Sequence, residues 1–172
     1  MAWLRNAIVG CVAGALLAGA GVALYAQRAF PAVDGQMRVS GLREAVRVQR
    51  DAADVTHIRA QSAQDAWFAM GYVHAQERTW QLEFNRRVMH GQLSEIFGDA
   101  TLETDKLMRA LDIMGHARRQ YAGLPAQARE ALQAYSQGIR AFHKDLPQAL
   151  PPEFHVLGVQ PGGTTGAVWE PE

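Results

Sequence analysis

One cysteine, Cys11, serves the whole chain. No internal disulfide can form, and no site that needs two thiolates can be assembled. Export is still compatible with this, because 172 residues can bury a sizeable core without covalent staples. No sign of charge predominates either. There are 17 Lys and Arg against 17 Asp and Glu, so the formal net charge is zero. That balance gives no general pull toward a polyanion or an anionic surface. No basic stripe is interleaved with stacking aromatics, so nucleic acid is not an expected partner. Long apolar runs are equally scarce, with one exception.

The exception lies at the start. Arg5 precedes an uncharged run from Asn6 to Gln27, rich in Ala, Gly, Leu and Val, and Arg28 follows it. About 20 apolar residues span a bilayer, and residues 7–26 are the expected membrane contact. Residues 1–28 fit a signal peptide with a positive n-region or a membrane anchor, and both place the rest outside the cytoplasm. The expected location is periplasmic or exported, with anchoring to the inner membrane if the helix is retained. Ala18-Gly19-Ala20 offers a small-x-small cleavage site, but the run continues to Tyr25, which favours an anchor. Ile8-Val9-Gly10-Cys11 has the form of a lipoprotein box but comes too early to leave an apolar region before the cysteine. A buried core helix would need a polar face that this run lacks.

Pro31, Asp34 and Gly35 mark a turn-rich linker. Met37 to Ser40 and Ala45 to Arg50 then alternate like half-buried strands, with Val46 and Val48 on one face and Arg47 and Gln49 on the other. Asp51 to Asp54 reads as a turn and Val55 to Ala60 as the returning strand, which predicts a small antiparallel hairpin. His57 falls on that strand. No Ser or Asp forms a spaced constellation with it, so a hydrogen-bonded structural histidine is the expectation.

The segment from Ala66 to Gly98 organises the chain. Ser62 with Asp65 three residues on predicts an N-cap, and the helix is expected to weaken near Gly71 and resume to Met89. Val73, Trp80, Phe84 and Val88 share one face at helical spacing. Glu77, Arg78, Glu83, Arg86 and Arg87 fall mostly off it. Glu83 and Arg87 are spaced i,i+4, acid first, worth roughly 0.2–0.5 kcal/mol if exposed. These charges read as an ion-pair network clamping the helix to neighbouring segments, since arginine is a poor proton carrier at neutral pH. His74 with Glu77 and Arg78 makes no metal set without a third ligand. Gly91 ends the helix and Gly98 closes a short apolar turn.

GYVHAQERTWQLEFNRR followed by GQLSEIFG resembles the signature near the start of the α chain of penicillin acylases, amidohydrolases with an N-terminal nucleophile. Gly71, Tyr72, Val73, Ala75, Gln76, Arg78, Trp80, Gln81, Glu83, Arg86 and Arg87 match that pattern, with Glu77 where the family has aspartate. VRVQRD and HIRA resemble the family's opening strands. The chain departs at Asp54 and Thr56, where Gly and Pro are usual, but Asp tolerates the left-handed conformation, so the turn is expected to survive. AYSQGIRAF and LPPEFHVLG also resemble family segments, as does Trp169-Glu170-Pro171, with an inserted and mobile polar loop from Gly162 to Val168 before it.

The residues between predict a short helix over Asp105 to Leu111. A second, opened by Pro125, has Ala128, Leu132, Tyr135, Ile139 and Phe142 on one face and Lys144 near its end. Tyr135 and Phe142 read as core packing. The resemblance covers residues 34–172. It implies an α+β class: a mainly helical piece with a small antiparallel hairpin and an N-terminal apolar helix, part of an αββα fold when complete.

What the chain lacks shapes the functional expectation. An N-terminal nucleophile is a Ser, Thr or Cys whose own α-amine takes the proton, and the attacked carbonyl needs oxyanion donors. In the family, self-cleavage exposes a serine at the head of a β chain. No residue here can play that part, and Gly163-Thr164 leaves too little chain after it. The family's acyl-pocket residues and calcium-ligand acid lie beyond the Trp-Glu-Pro element. No catalytic, substrate-binding or metal residue is therefore assigned, and no cofactor, though calcium is implied for the complete protein. The expectation is the N-terminal part of an exported amidohydrolase, residues 29–172 being an incomplete domain. It would be inactive and poorly folded alone, with the rest of the α chain and the β chain as partners. A reading from another class stays open: a membrane-tethered, non-catalytic helical binding module.

Overall fold

The computed structural model describes residues 2–31, 34–146, 148–162 and 169. Most of the loop expected to be mobile, and the Glu170-Pro171 pair, lie outside them. The elements run α1 (Ala2–Ala29), β1 (Arg47–Arg50), β2 (Thr56–Arg59), α2 (Ala63–His90), α3 (Ser94–Phe97), a 3-10 turn (Gly98–Thr101), α4 (Leu102–Ala110), α5 (Ile113–Gly123), α6 (Ala126–Asp145) and α7 (Pro152–Leu157).

The core is the crossing of α2 and α6. Tyr72, Ala75, Ile139 and Phe142 form its buried centre, and the Tyr72 and Phe142 rings meet edge to face with centroids 5.5 Å apart. Two glycines set how close the helices come. A Cβ on Gly71 would lie 2.0 Å from the Tyr135 carbonyl oxygen, and one on Gly138 would lie 2.0 Å from that of Phe68. Gly71 therefore does not weaken α2 as the sequence suggested. The intrinsic cost of a mid-helix glycine, about 1 kcal/mol, is overridden by the contact it admits. The break falls instead at Arg78, whose backbone is non-helical (φ −130°, ψ 24°).

Both ends of α2 are capped as their residues predict. Ser62 Oγ accepts the Asp65 N–H at 3.0 Å and donates to Asp65 Oδ2 at 2.8 Å. Asp65 Oδ1 accepts the Arg43 N–H at 2.9 Å, fixing the loop that enters the helix. Gly91 ends α2 in the left-handed conformation with its N–H turned back to the Arg87 and Val88 carbonyls. Asp105, 3% exposed, then holds the start of α3. Its carboxylate accepts the N–H groups of Leu93 and Ser94 at 2.9 and 2.7 Å.

The hairpin pairs Arg47 with Arg59 and Arg50 with Thr56. Asp54 adopts φ 61°, so the turn survives its departure from glycine. Asp51 Oδ1 secures it by accepting the Ala53 and Val55 N–H groups. Met37 to Ser40 is not a strand. That stretch is held by packing, with the Tyr72 hydroxyl on Met37 Sδ at 3.2 Å and Val39 against the core. Val48 is 42% exposed, so the face it shares with Val46 is only partly covered.

Three further differences concern helices. Pro125 caps α6 as expected, but its buried face begins at Ala134 and Leu132 stays exposed. The helix predicted over Asp105 to Leu111 starts three residues earlier, because the 3-10 turn feeds straight into it. No helix is expected over Ile113–Gly123 from the sequence, yet one forms there, with Ile113, Ala117 and Tyr121 at four-residue spacing on its half-buried side.

The glycine contacts give a direct test. Gly138→Ala must displace the Phe68 carbonyl and should cost about 3 kcal/mol, the upper end of ordinary overpacking. Gly123→Ala, in open space, should be neutral or gain up to about 1 kcal/mol of helix propensity. Thermal melting of the two variants against wild type reads the contrast.

Candidate functional site

Beyond the Arg78 break, the side of α2 that turns inward carries Thr79, Glu83 and Arg87, all buried. Trp80, Phe84 and Val88, the expected inward face, are only half-buried on its flank. There Trp80 meets Phe154 of α7 at 5.4 Å and Phe84 meets Phe97 at 6.5 Å. The buried stripe is thus one position away from the apolar one, and charge fills it.

Glu83 is the centre, with no exposed surface. Its Oε1 accepts Arg86 Nη2 at 2.8 Å and Arg87 Nε at 2.7 Å. Its Oε2 accepts Arg86 Nε at 3.1 Å and the backbone N–H of Gly162 at 2.9 Å. Burial alone would raise this carboxyl. The hydrogen bonds from Arg86 and Gly162, with the charges of Arg86 and Arg87, outweigh it and hold Glu83 below the ordinary carboxylate range. Arg87 extends the network by giving Nη1 to Glu95 at 2.8 Å. The clamp expected from the sequence is present for Glu83, Arg86 and Arg87, but dry, so Glu83 and Arg87 are not the exposed pair of the simple i,i+4 estimate. Arg78 stands outside it, exposed, with Nη1 3.4 Å from Gln81 Oε1.

His143 of α6 joins the cluster from the opposite side. Its ring stacks on Trp169, centroids 6.0 Å apart and planes 22° apart, and its Nε2 is 3.4 Å from Thr79 Oγ1. Burial pushes its pKa down to about 4, against a smaller upward pull from Glu83. Arg140, one turn earlier, donates to the Trp169 carbonyl at 2.6 Å. Glu83 therefore fixes Gly162 while Arg140 and His143 fix Trp169, so both flanks of the 163–168 segment are fastened to the α2–α6 pair.

Chemically this is a structural arrangement. Thr79, His143 and Glu83 superficially resemble a hydroxyl, a base and an orienting acid. The Thr79 hydroxyl, however, donates to the Ala75 carbonyl within its own helix. It is 2% exposed, and 3.4 Å is long for a nucleophile–base hydrogen bond. Glu83 is occupied by two arginines and the Gly162 N–H, so it does not orient His143. Elsewhere, His74 Nδ1 meets the Tyr135 hydroxyl at 2.9 Å, while Glu77 turns to Arg50, so this pair points to separate partners. His57 does have a carboxylate neighbour, contrary to the sequence reading: Asp51 Oδ2 lies 2.8 Å from its Nε2. Both are about half exposed, which suits a turn brace. Phe142 is core, as predicted. The part played by Thr79, Arg140, His143, Gly162 and Trp169 was not foreseen. The four-residue spacing of Thr79, Glu83 and Arg87 was the available signal, masked by the parallel apolar series.

Residues 45–172 match the family described as penicillin amidase. The penicillin acylase 2 proenzyme of Pseudomonas sp. (strain SE83) is 39% identical over 145 residues, covering 84% of this chain and 18% of that protein. The acyl-homoserine lactone acylase QuiP of Pseudomonas putida is 32% identical over 170 residues, covering 98% of this chain and 20% of that protein. The chain thus spans about a fifth of the length of the curated relatives it matches. Among solved structures, the thermostable penicillin G acylase of Alcaligenes faecalis superposes with a TM-score of 0.61 at 29% identity, covering 68% of this chain and 64% of that one.

Glu83→Gln keeps the shape but removes the negative charge that two guanidinium groups share in a dry site, and should destabilise by about 3 kcal/mol in chemical unfolding. The pH profile has a definite sign. The folded pKa of His143, about 4, lies below its unfolded value of 6.5. Its contribution is therefore complete above pH 6.5 and declines as pH falls toward 4, a loss on the order of 3 kcal/mol. Glu83, also lowered, adds a further loss below its ordinary 4.5. Melting temperatures between pH 7 and 4 should fall, and His143→Gln should flatten the upper part of that fall.

Proposed function

Because this chain belongs to the penicillin amidase family, we infer that it is the opening part of an exported amidohydrolase that cleaves a linear amide, of the penicillin or N-acyl-homoserine-lactone type. The observation that carries this is the family match over residues 45–172, with relatives bearing both substrate names. The reaction is acyl transfer. A serine hydroxyl at the head of a separate chain attacks the amide carbonyl while its own α-amine takes the proton. The amine product leaves with a proton, and water then hydrolyses the acyl-serine ester. Oxyanion donors stabilise the tetrahedral intermediates.

The role of this part is scaffold. The α2–α6 pair and its buried Glu83 cluster give the following chain two fixed starting points, at Gly162 and Trp169. Its partners are the remainder of the precursor, and residues 29–172 form one incomplete unit with them. Any calcium in the complete protein is expected to draw its acidic ligand from the remainder of the precursor. Export rests on α1, uncharged from Asn6 to Gln27, acting as signal or anchor.

The test is complementation. The 172-residue chain alone should release no amine from a penicillin or an N-acyl-homoserine lactone. Co-expression with the rest of a penicillin-acylase precursor should yield hydrolysis. Turnover by the chain alone would overturn the scaffold reading.

A further inference from the structure

The helix α1 has two unlike ends. None of its residues is buried, yet its last turn is fastened to the body. The Tyr25 hydroxyl donates to the Leu150 carbonyl at 2.5 Å. The Ala149 N–H donates to the Arg28 carbonyl at 2.8 Å. Gln148 Nε2 reaches the Ala29 carbonyl at 3.4 Å, and the Tyr25 ring stands edge-on to His155 of α7, 5.6 Å between centroids. A leader destined for removal has no use for such a clasp.

The dimensions point the same way. The uncharged run from Asn6 to Gln27 is about 33 Å long as a helix, against roughly 30 Å of bilayer hydrocarbon. Trp3 and Tyr25 fall near its two ends, at the level where aromatic side chains favour the membrane interface. An h-region of a removable signal is shorter, about 7–15 residues. The small-x-small sites Ala13-Gly14-Ala15, Ala18-Gly19-Ala20 and Gly21-Val22-Ala23 all lie inside unbroken helix, the last of them still about 7 Å short of Arg28. A peptidase working at the membrane surface needs an extended backbone within reach, and neither condition is met there.

We propose that α1 is retained as a bilayer-spanning stalk, and that the clasp formed by residues 148–150 and α7 on its last turn holds the body in a fixed orientation against the non-cytoplasmic membrane face. The occupant of the exposed α1 surface is lipid hydrocarbon. The proposal rests on the export reading but not on the amidohydrolase one. Phe30 and Val156, 71% and 83% exposed, flank the clasp in sequence and belong at the membrane interface.

The experiment uses the chain with its N-terminus intact, expressed in a Gram-negative host with a C-terminal epitope. Three results are expected. The protein stays in the membrane after alkaline carbonate washing. Its N-terminal sequence begins ahead of Arg5. Cys11, inside the span, resists a membrane-impermeant maleimide until detergent is added. A soluble body beginning at Gly21, or Cys11 labelled in intact membranes, would overturn the stalk. Protease added to spheroplasts should digest the body. Full protection would overturn the export reading instead, and the outward-facing stalk with it. As a check on the clasp, Tyr25→Phe with Ala149→Pro should leave carbonate resistance unchanged while speeding tryptic cleavage after Arg28 several-fold. An unchanged cleavage rate would overturn the fixed orientation.

Discussion

A carboxylate taken out of water is costly unless nearly every lone pair finds a donor, and Glu83 is such a carboxylate. Four N–H groups converge on it: three from Arg86 and Arg87 and one from the Gly162 backbone. Removing a partner leaves part of that carboxylate unsatisfied in a site that solvent does not reach. The placement of α2 relative to Gly162 depends on this one satisfied group. Ion pairs of this kind are weak sources of net stability, since their attraction mostly offsets desolvation. Their value is positional: alternative placements leave a buried charge unpaired and are excluded.

The cluster also explains why the second half of α2 is unusual. In an ordinary amphipathic helix the apolar stripe faces inward and charge faces water. Here the Arg78 break separates a first half that packs apolar residues on α6 from a second half that buries Thr79, Glu83 and Arg87. Trp80 and Phe84 are displaced to the flank, where they meet α7 and the α3 turn through ring contacts. One long helix thereby serves two neighbours, a tight helix partner before the break and a charged seam after it.

How much of this was legible in sequence follows from where each signal resides. Ser62, Asp65 and Gly91 act within a few residues of themselves, so the limits of α2 were readable. Asp54 needs only its own left-handed conformation, and the hairpin turn followed. Gly71 was misread because its effect depends on Tyr135, 64 positions away. The burial of Glu83 was missed for the same reason, since one of the donors that satisfy it is Gly162, 79 positions away. Met37 to Ser40 alternates like a strand but has no partner strand, and packing on Tyr72 decides its conformation. The matched residues of α2 were visible as a pattern, whereas their division into packing and charge-holding groups required the fold.

The two glycines at the α2–α6 crossing bear on how such a fold is assembled. Each sits opposite a carbonyl of the other helix, Gly71 against Tyr135 and Gly138 against Phe68, so the helices carry reciprocal notches. Sliding one helix along the other by a turn would bring a bulkier residue to each notch, where it cannot be seated. The crossing is keyed like a tongue and groove rather than merely glued. A chain that reached this core in the wrong alignment would find no stable stopping place there until the notches met.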